Sequence, residues 1–116
     1  MTPQDLTGTP EGTGTQKLPD TPLGRLLEEK RQDVLACAAR RGASRVTVFG
    51  SVARGEDNAN SDIDLVVDLA PGTSLFGLMD MQEELETLLG VSVDLGTYDG
   101  LKEWVRPDIE RDGILL

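Results

Sequence analysis

The chain contains no histidine, a single cysteine and only 3% aromatic residues among its 116, and it is short of positive charge, with 11 Lys and Arg against 21 Asp and Glu. A formal net charge of −10 disfavours a surface built to hold nucleic-acid phosphates and points to cations or basic proteins as partners. Cys37 has no second cysteine to pair with, which fits a reducing cytoplasm; between Ala36 and Ala38 in a helical pattern it reads as a small core or surface residue, not as a nucleophile. There is no signal-peptide pattern and no long uncharged apolar run, so the expectation is a soluble cytoplasmic protein, neither secreted nor membrane-spanning. At 38% hydrophobic residues, this length can bury one small core and not two.

What is present is a patterned stretch preceded by an unpatterned one. Residues 1–20 are rich in Thr, Gly and Pro, and beyond the initiator Met hold only Leu6 and Leu18 as larger aliphatics, so a disordered tail is expected there and a folded domain over 21–116. Thr21-Pro22 is a helix start, a capping hydroxyl followed by a residue whose missing N–H costs nothing in the first turn. Leu23, Leu27, Val34, Leu35 and Ala38 then approximate one face, with Glu28, Glu29, Lys30 and Arg31 largely outside it and Arg40-Arg41-Gly42 at the end. Val46 to Phe49 reads as a short buried strand that Gly50 ends.

Ile63 to Leu69 reads as a second strand, whose alternation places Ile63, Leu65, Val67 and Leu69 in the core and Asp62, Asp64, Val66 and Asp68 on the opposite side. After the Pro71-Gly72 turn, Thr73 or Ser74 can cap a helix with Leu75, Leu78, Met79, Leu85, Leu88 and Leu89 as its apolar stripe, stopped by Gly90. Val91, Val93 and Leu95 alternate with Ser92 and Asp94 in a third strand, which puts Asp94 on the polar side. Beyond Asp99 the pattern weakens: Leu101, Trp104 and Val105 suggest a helical turn that Pro107 interrupts or restarts, and Ile114 to Leu116 can complete the core or contact a partner. The predicted class is a small α/β (α+β) fold, a mixed short sheet with helices packed on a face.

Three groups of residues carry chemistry. Glycine lets a backbone approach a phosphate closely and a following serine adds a hydroxyl, so Gly50-Ser51 can cradle phosphate, although Gly-Ser after a strand is also an ordinary turn. Asp62 and Asp64 project the same way about 7 Å apart along a strand, and without a cation would repel by roughly 3 kcal/mol at ~5 Å and an effective dielectric of ~20. Alone they would read as solvated aspartates; Asp94 on the polar side of a neighbouring strand supplies a third carboxylate. Three carboxylates without histidine favour magnesium over zinc. Asp68 lies farther along, beside Pro71, and suits turn stabilisation better than metal binding. Tyr98 and Trp104 suit packing better than base stacking, and Lys102 and Arg106 read as exposed.

Gly50-Ser51-Val52-Ala53-Arg54-Gly55, then Ser61-Asp62-Ile63-Asp64-Leu65, then Val93-Asp94-Leu95, resembles the minimal nucleotidyltransferases of the DNA polymerase beta superfamily, and is similar to the antitoxin branch found beside HEPN-domain toxins. The resemblance spans about Leu23 to Leu95. It implies that Gly50 and Ser51 hold the triphosphate of ATP, that Asp62 and Asp64 ligate two Mg2+ ions, and that Asp94 completes the catalytic metal site and helps activate the attacking hydroxyl. Two metals about 3.5–4 Å apart can stabilise both the attacking and the leaving oxygen of an in-line displacement. Arg54 can contact phosphate or acceptor, or brace its loop against Glu56 and Asp57.

The chain has no room for the acceptor-binding domain of larger nucleotidyltransferases, so the acceptor is small or arrives on another protein. In the HEPN-associated branch the resemblance implies a toxin tyrosine that receives AMP. The leading expectation is therefore an AMP-transferring antitoxin of a cognate HEPN-domain toxin. The alternatives are a non-catalytic antitoxin acting by occlusion through its acidic surface, and one subunit of a small-molecule, aminoglycoside-type nucleotidyltransferase.

Overall fold

The computed structural model describes residues 17–100 and 106–116. Helix α1 (Pro22–Arg40) begins where the capping signal places it, with Thr21 Oγ1 accepting from the N–H of Gly24 at 3.1 Å. Strand β1 (Ala43–Phe49) leads into a single-turn helix α2 (Gly50–Ala53), and β2 (Ile63–Leu69) follows a polar loop. Helix α3 (Leu75–Leu89) is capped by Ser74, whose hydroxyl accepts from Gly77 N, and stops at Gly90 in the left-handed conformation that glycine adopts without strain. β3 (Val93–Thr97), α4 (Arg106–Asp112) and the two-residue β4 (Ile114–Leu115) complete the described chain.

The four strands form one mixed sheet in the order β3-β2-β1-β4, with β2 antiparallel to β1, β3 parallel to β2, and β4 antiparallel to β1. The α/β (α+β) class expected from the element order is the observed one. On one sheet face, Leu27, Val34, Met81 and Leu85 of α1 and α3 form a single buried cluster with Val46, Val48, Ile63, Leu65, Val67, Val93 and Leu95. Every second strand residue is therefore committed to the core, which leaves the others for the opposite face.

Several residues depart from the sequence pattern. Leu18, expected in the disordered tail, is 5% exposed and belongs to the core, while residues 1–16 lie outside the described residues. Arg31, expected on the outer face of α1, is buried, where its guanidinium donates to the Leu115 carbonyl at 3.1 Å and pairs with Glu28. Val66 sits among the outward residues of β2 yet is fully buried, because it pairs with Thr47 on the face that α4 covers with Ile109. Leu75 and Met79 are exposed, not part of the buried stripe of α3. Ile114 to Leu116 adds a sheet edge, with Leu116 N donating to Val46 O at 2.8 Å; the helical turn expected from Leu101, Trp104 and Val105 lies outside the described residues, and α4 begins just before Pro107.

Candidate active site

Strand register decides which carboxylates become neighbours. Asp64 of β2 pairs with Asp94 of the parallel β3 and with Phe49 at the end of β1. Paired residues on adjacent strands lie about 4.8 Å apart with side chains on the same face, and Asp62, two residues before Asp64, shares that face. Asp62 and Asp94 are exposed and Asp64 is half-buried. The arrangement brings together the three carboxylates singled out in the sequence, across thirty residues of chain, through the β2–α3–β3 crossover.

Their proximity has an electrostatic consequence. The Asp64 carboxyl is pushed up to about 6, first by burial, then by the negative charges of Asp94 and Asp62, and the Arg54 guanidinium acts in the opposite direction. Such a group is half-protonated near pH 6, and above that its charge is held against burial and two like charges unless a cation arrives. The chemistry of the donor set, hard oxygens without nitrogen or sulfur, fits Mg2+. Among the described residues, however, no group of three or more His, Cys, Asp or Glu side chains is already gathered into a metal cage. Adjacency of the backbones is built into the sheet; closure of the carboxyl groups around an ion is not.

The Gly50-Ser51 turn lies directly against Asp64. Gly50 has φ +72°, in the region that only glycine occupies freely, and a Cβ added to it would overlap the Asp64 carboxylate. No side chain caps the first N–H groups of α2, so the turn presents donors next to the acidic cluster, where an anionic ligand and its cation would meet. Arg54, at the end of α2, pairs with Glu56 at 2.9 Å, which is the bracing role; its effect on Asp64 shows that the same charge also reaches the site.

Other sequence candidates sit elsewhere on this face. Asp68 pairs with Arg45 at 3.0 Å, and Arg45 stacks over the Tyr98 ring at 3.9 Å from its centroid, so both are engaged in structure. Arg45 has φ +51° where the β1–β2 register shifts between Ser44 and Thr47, a bulge that turns its side chain onto Tyr98. Arg106 donates to the Tyr98 carbonyl at 2.9 Å; Lys102 and Trp104 lie outside the described residues. Cys37 is buried, and its thiol is pushed up chiefly by that burial, as suits a core residue.

Asp57, expected only as a residue against which Arg54 could brace its loop, has a different partner. Asp57, buried in the loop between α2 and β2, accepts from the N–H of Leu23 at 2.9 Å, which ties that loop to the first turn of α1. Its other carboxylate oxygen is buried with no hydrogen-bond partner among the described residues. The signal in the sequence was faint, because the N–H it binds lies thirty-four residues earlier in the chain.

The model of the nucleotidyltransferase domain family matches residues 31–116. The protein adenylyltransferase MntA of Thermococcus cleftensis is 38% identical over 77 residues, covering 66% of this chain and 78% of the relative. A solved minimal nucleotidyltransferase structure is similar with a TM-score of 0.72 and 43% identity, covering 79% of this chain and 94% of that one. The fold is also shared, at a TM-score of 0.60 and 16% identity, with a chain in a complex of a tri-AMPylated HEPN toxin of Shewanella oneidensis with an MNT antitoxin, covering 76% of this chain and 69% of that one.

Proposed function

The chain belongs to the nucleotidyltransferase domain family, and we propose that it is the enzymatic antitoxin of a toxin-antitoxin pair, moving AMP from ATP to a tyrosine hydroxyl of a cognate HEPN-domain ribonuclease. The observation that carries the reading is the pairing of Asp64 with Asp94 beside the uncapped Gly50-Ser51 turn. The similarity to a protein adenylyltransferase named MntA, and the fold shared with a chain of a complex between an AMPylated toxin and its antitoxin, support protein as the acceptor class.

In this proposal the turn at Gly50 and Ser51 receives the triphosphate through backbone N–H groups and the Ser51 hydroxyl. Asp62, Asp64 and Asp94 would hold Mg2+, which when bound supplies charge neutralisation for the attacking and leaving oxygens. Arg54 stands at the far end of α2 to meet phosphate charge. The tyrosine oxygen attacks the α-phosphorus, the bond from that phosphorus to the bridging oxygen of pyrophosphate breaks, and the phenolic proton passes to the exposed Asp94 carboxylate or through it to water. A phosphodiester to tyrosine and free pyrophosphate result.

The test incubates the protein with the HEPN-domain protein encoded beside it and ATP labelled at the α-phosphate. Magnesium-dependent labelling that disappears in Asp62→Ala with Asp64→Ala is expected. Neutralisation that survives that double substitution and weakens with salt would replace the reading with occlusion by an acidic surface. Labelling of an aminoglycoside in place of protein would replace it with small-molecule transfer.

A further inference from the structure

Leu75, Phe76 and Met79, in the first turns of α3, are 72%, 77% and 65% exposed, whereas the other large apolar side chains among the described residues are mostly buried. Exposed apolar residues clustered in this way mark contact surfaces more often than scattered ones do. Phe76, Met79, Glu83, Glu86 and Gly90 follow one another at spacings of three and four, so they form one stripe along the helix, opposite the buried Met81, Leu85 and Leu89. The stripe is apolar at its N-terminal end and acidic along its middle. Glu83 takes part in no ion pair among the described residues, and beside it Asp80 lies 3.7 Å from Arg41.

The stripe leads to Asp62, at the edge of the candidate active site. A groove of about 380 Å³ is lined by Met79, Asp80, Glu83 and Glu86, and a second of about 640 Å³ by Glu86, Gly90, Asn60, Ser61 and Asp62. Glu86 borders both, held in place by accepting the Val93 N–H at 3.0 Å, so one surface leads from Met79 to Asp62, with Phe76 one helical turn before Met79. Along the helix axis the distance from Phe76 to Gly90 is about 21 Å, the reach of a six- or seven-residue extended segment.

We propose that this face of α3 is the docking track for the protein that receives the nucleotidyl group: an apolar anchor of the acceptor sits over Phe76 and Met79, and basic side chains lie along Glu83 and Glu86. The inference rests on the reading of a protein acceptor given above. Charge selects the occupant. A second copy of a chain carrying a net charge of −10 would set Asp80 and Glu83 near their own like charges, whereas a basic segment is attracted to them. Continuity with Asp62 selects the acceptor in preference to a bystander, because a segment anchored at the apolar end is led toward the carboxylates.

The experiment measures binding of the adjacently encoded HEPN-domain protein in an Asp64→Asn background, so that transfer plays no part in the readout. Phe76→Ser with Met79→Ser should weaken the dissociation constant at least tenfold, and Glu83→Lys at least threefold with a shallower salt dependence. Circular dichroism and binding of a fluorescent ATP analogue should be unchanged, since these side chains are exposed and away from the Gly50-Ser51 turn. Dissociation constants within twofold of the parent, or no binding by the parent itself, would overturn the proposal. So would sedimentation showing a dimer of this chain that the Phe76 and Met79 substitutions dissolve. If the otherwise unaltered protein transfers no AMP yet binds through these residues, the docking track stands and the catalytic reading falls.

Discussion

Replacing Asp64 by Asn removes a charge that the fold holds at a cost. In the unfolded chain this carboxyl titrates near 3.8, and in the folded protein burial and the neighbouring Asp94 and Asp62 push it up to about 6. Between those values the folded state binds more protons than the unfolded one, so stability falls as the pH rises through this window and levels off above it. The full difference corresponds to about 3 kcal/mol, and screening of a half-exposed group reduces it to about 1–2 kcal/mol. Asp64→Asn should therefore melt roughly 5–10 °C above the parent at pH 7.5 in chelator-treated, low-salt buffer. The gap should close below pH 4, where both proteins are neutral at this position. Thermal unfolding followed by far-UV circular dichroism at half-unit steps from pH 3.5 to 8 measures it. A gap that is constant with pH, or an asparagine variant less stable at pH 7.5, would refute the electrostatic account of this cluster.

Gly50→Ala should destabilise by about 1–3 kcal/mol in urea unfolding, since alanine is strained at φ +72° and its methyl meets the Asp64 carboxylate; it should also abolish labelled AMP transfer. Asp57→Ala leaves the buried Leu23 N–H without its acceptor and should cost about 1–2 kcal/mol by the same measurement, with limited proteolysis revealing a looser loop between α2 and β2. Leu18→Ala should cost about 2–4 kcal/mol, because the side chain is packed in the core; a change below about 0.5 kcal/mol would return Leu18 to an unpacked tail.

Where a feature depends on residues a few positions apart, it could be read directly from the chain. Thr21-Pro22 starts α1 because a hydroxyl and the N–H groups of the following turn meet within three residues. The alternation of Ile63, Leu65 and Val67 assigns those side chains to the core, and with it turns Asp62 and Asp64 to the other face. The family resemblance of Gly50-Ser51, Asp62, Asp64 and Asp94 was legible for the same reason, since each piece is short and their order is distinctive. Val66 and Arg31 were not legible. Their burial is produced by α4 and by the Leu115 carbonyl, which arrive from more than thirty residues away.

The sequence alone thus determined the order of α1, β1, β2, α3 and β3, the core face of β2 and the presence of a phosphate-sized turn ahead of two aspartates, because periodicity and capping act within a few residues of chain; the single turn of α2 and the edge strand β4 were not among its elements. Tertiary structure decided what those pieces do together. Only the parallel β2–β3 register sets Asp94 beside Asp64, and the burial and like charges that follow from it raise the Asp64 carboxyl. Only the packing of α3 by Met81, Leu85 and Leu89 turns Phe76 and Met79 outward on a surface that leads to Asp62. These are matters of register and helix rotation, set by contacts distant in sequence, and no local pattern encodes them.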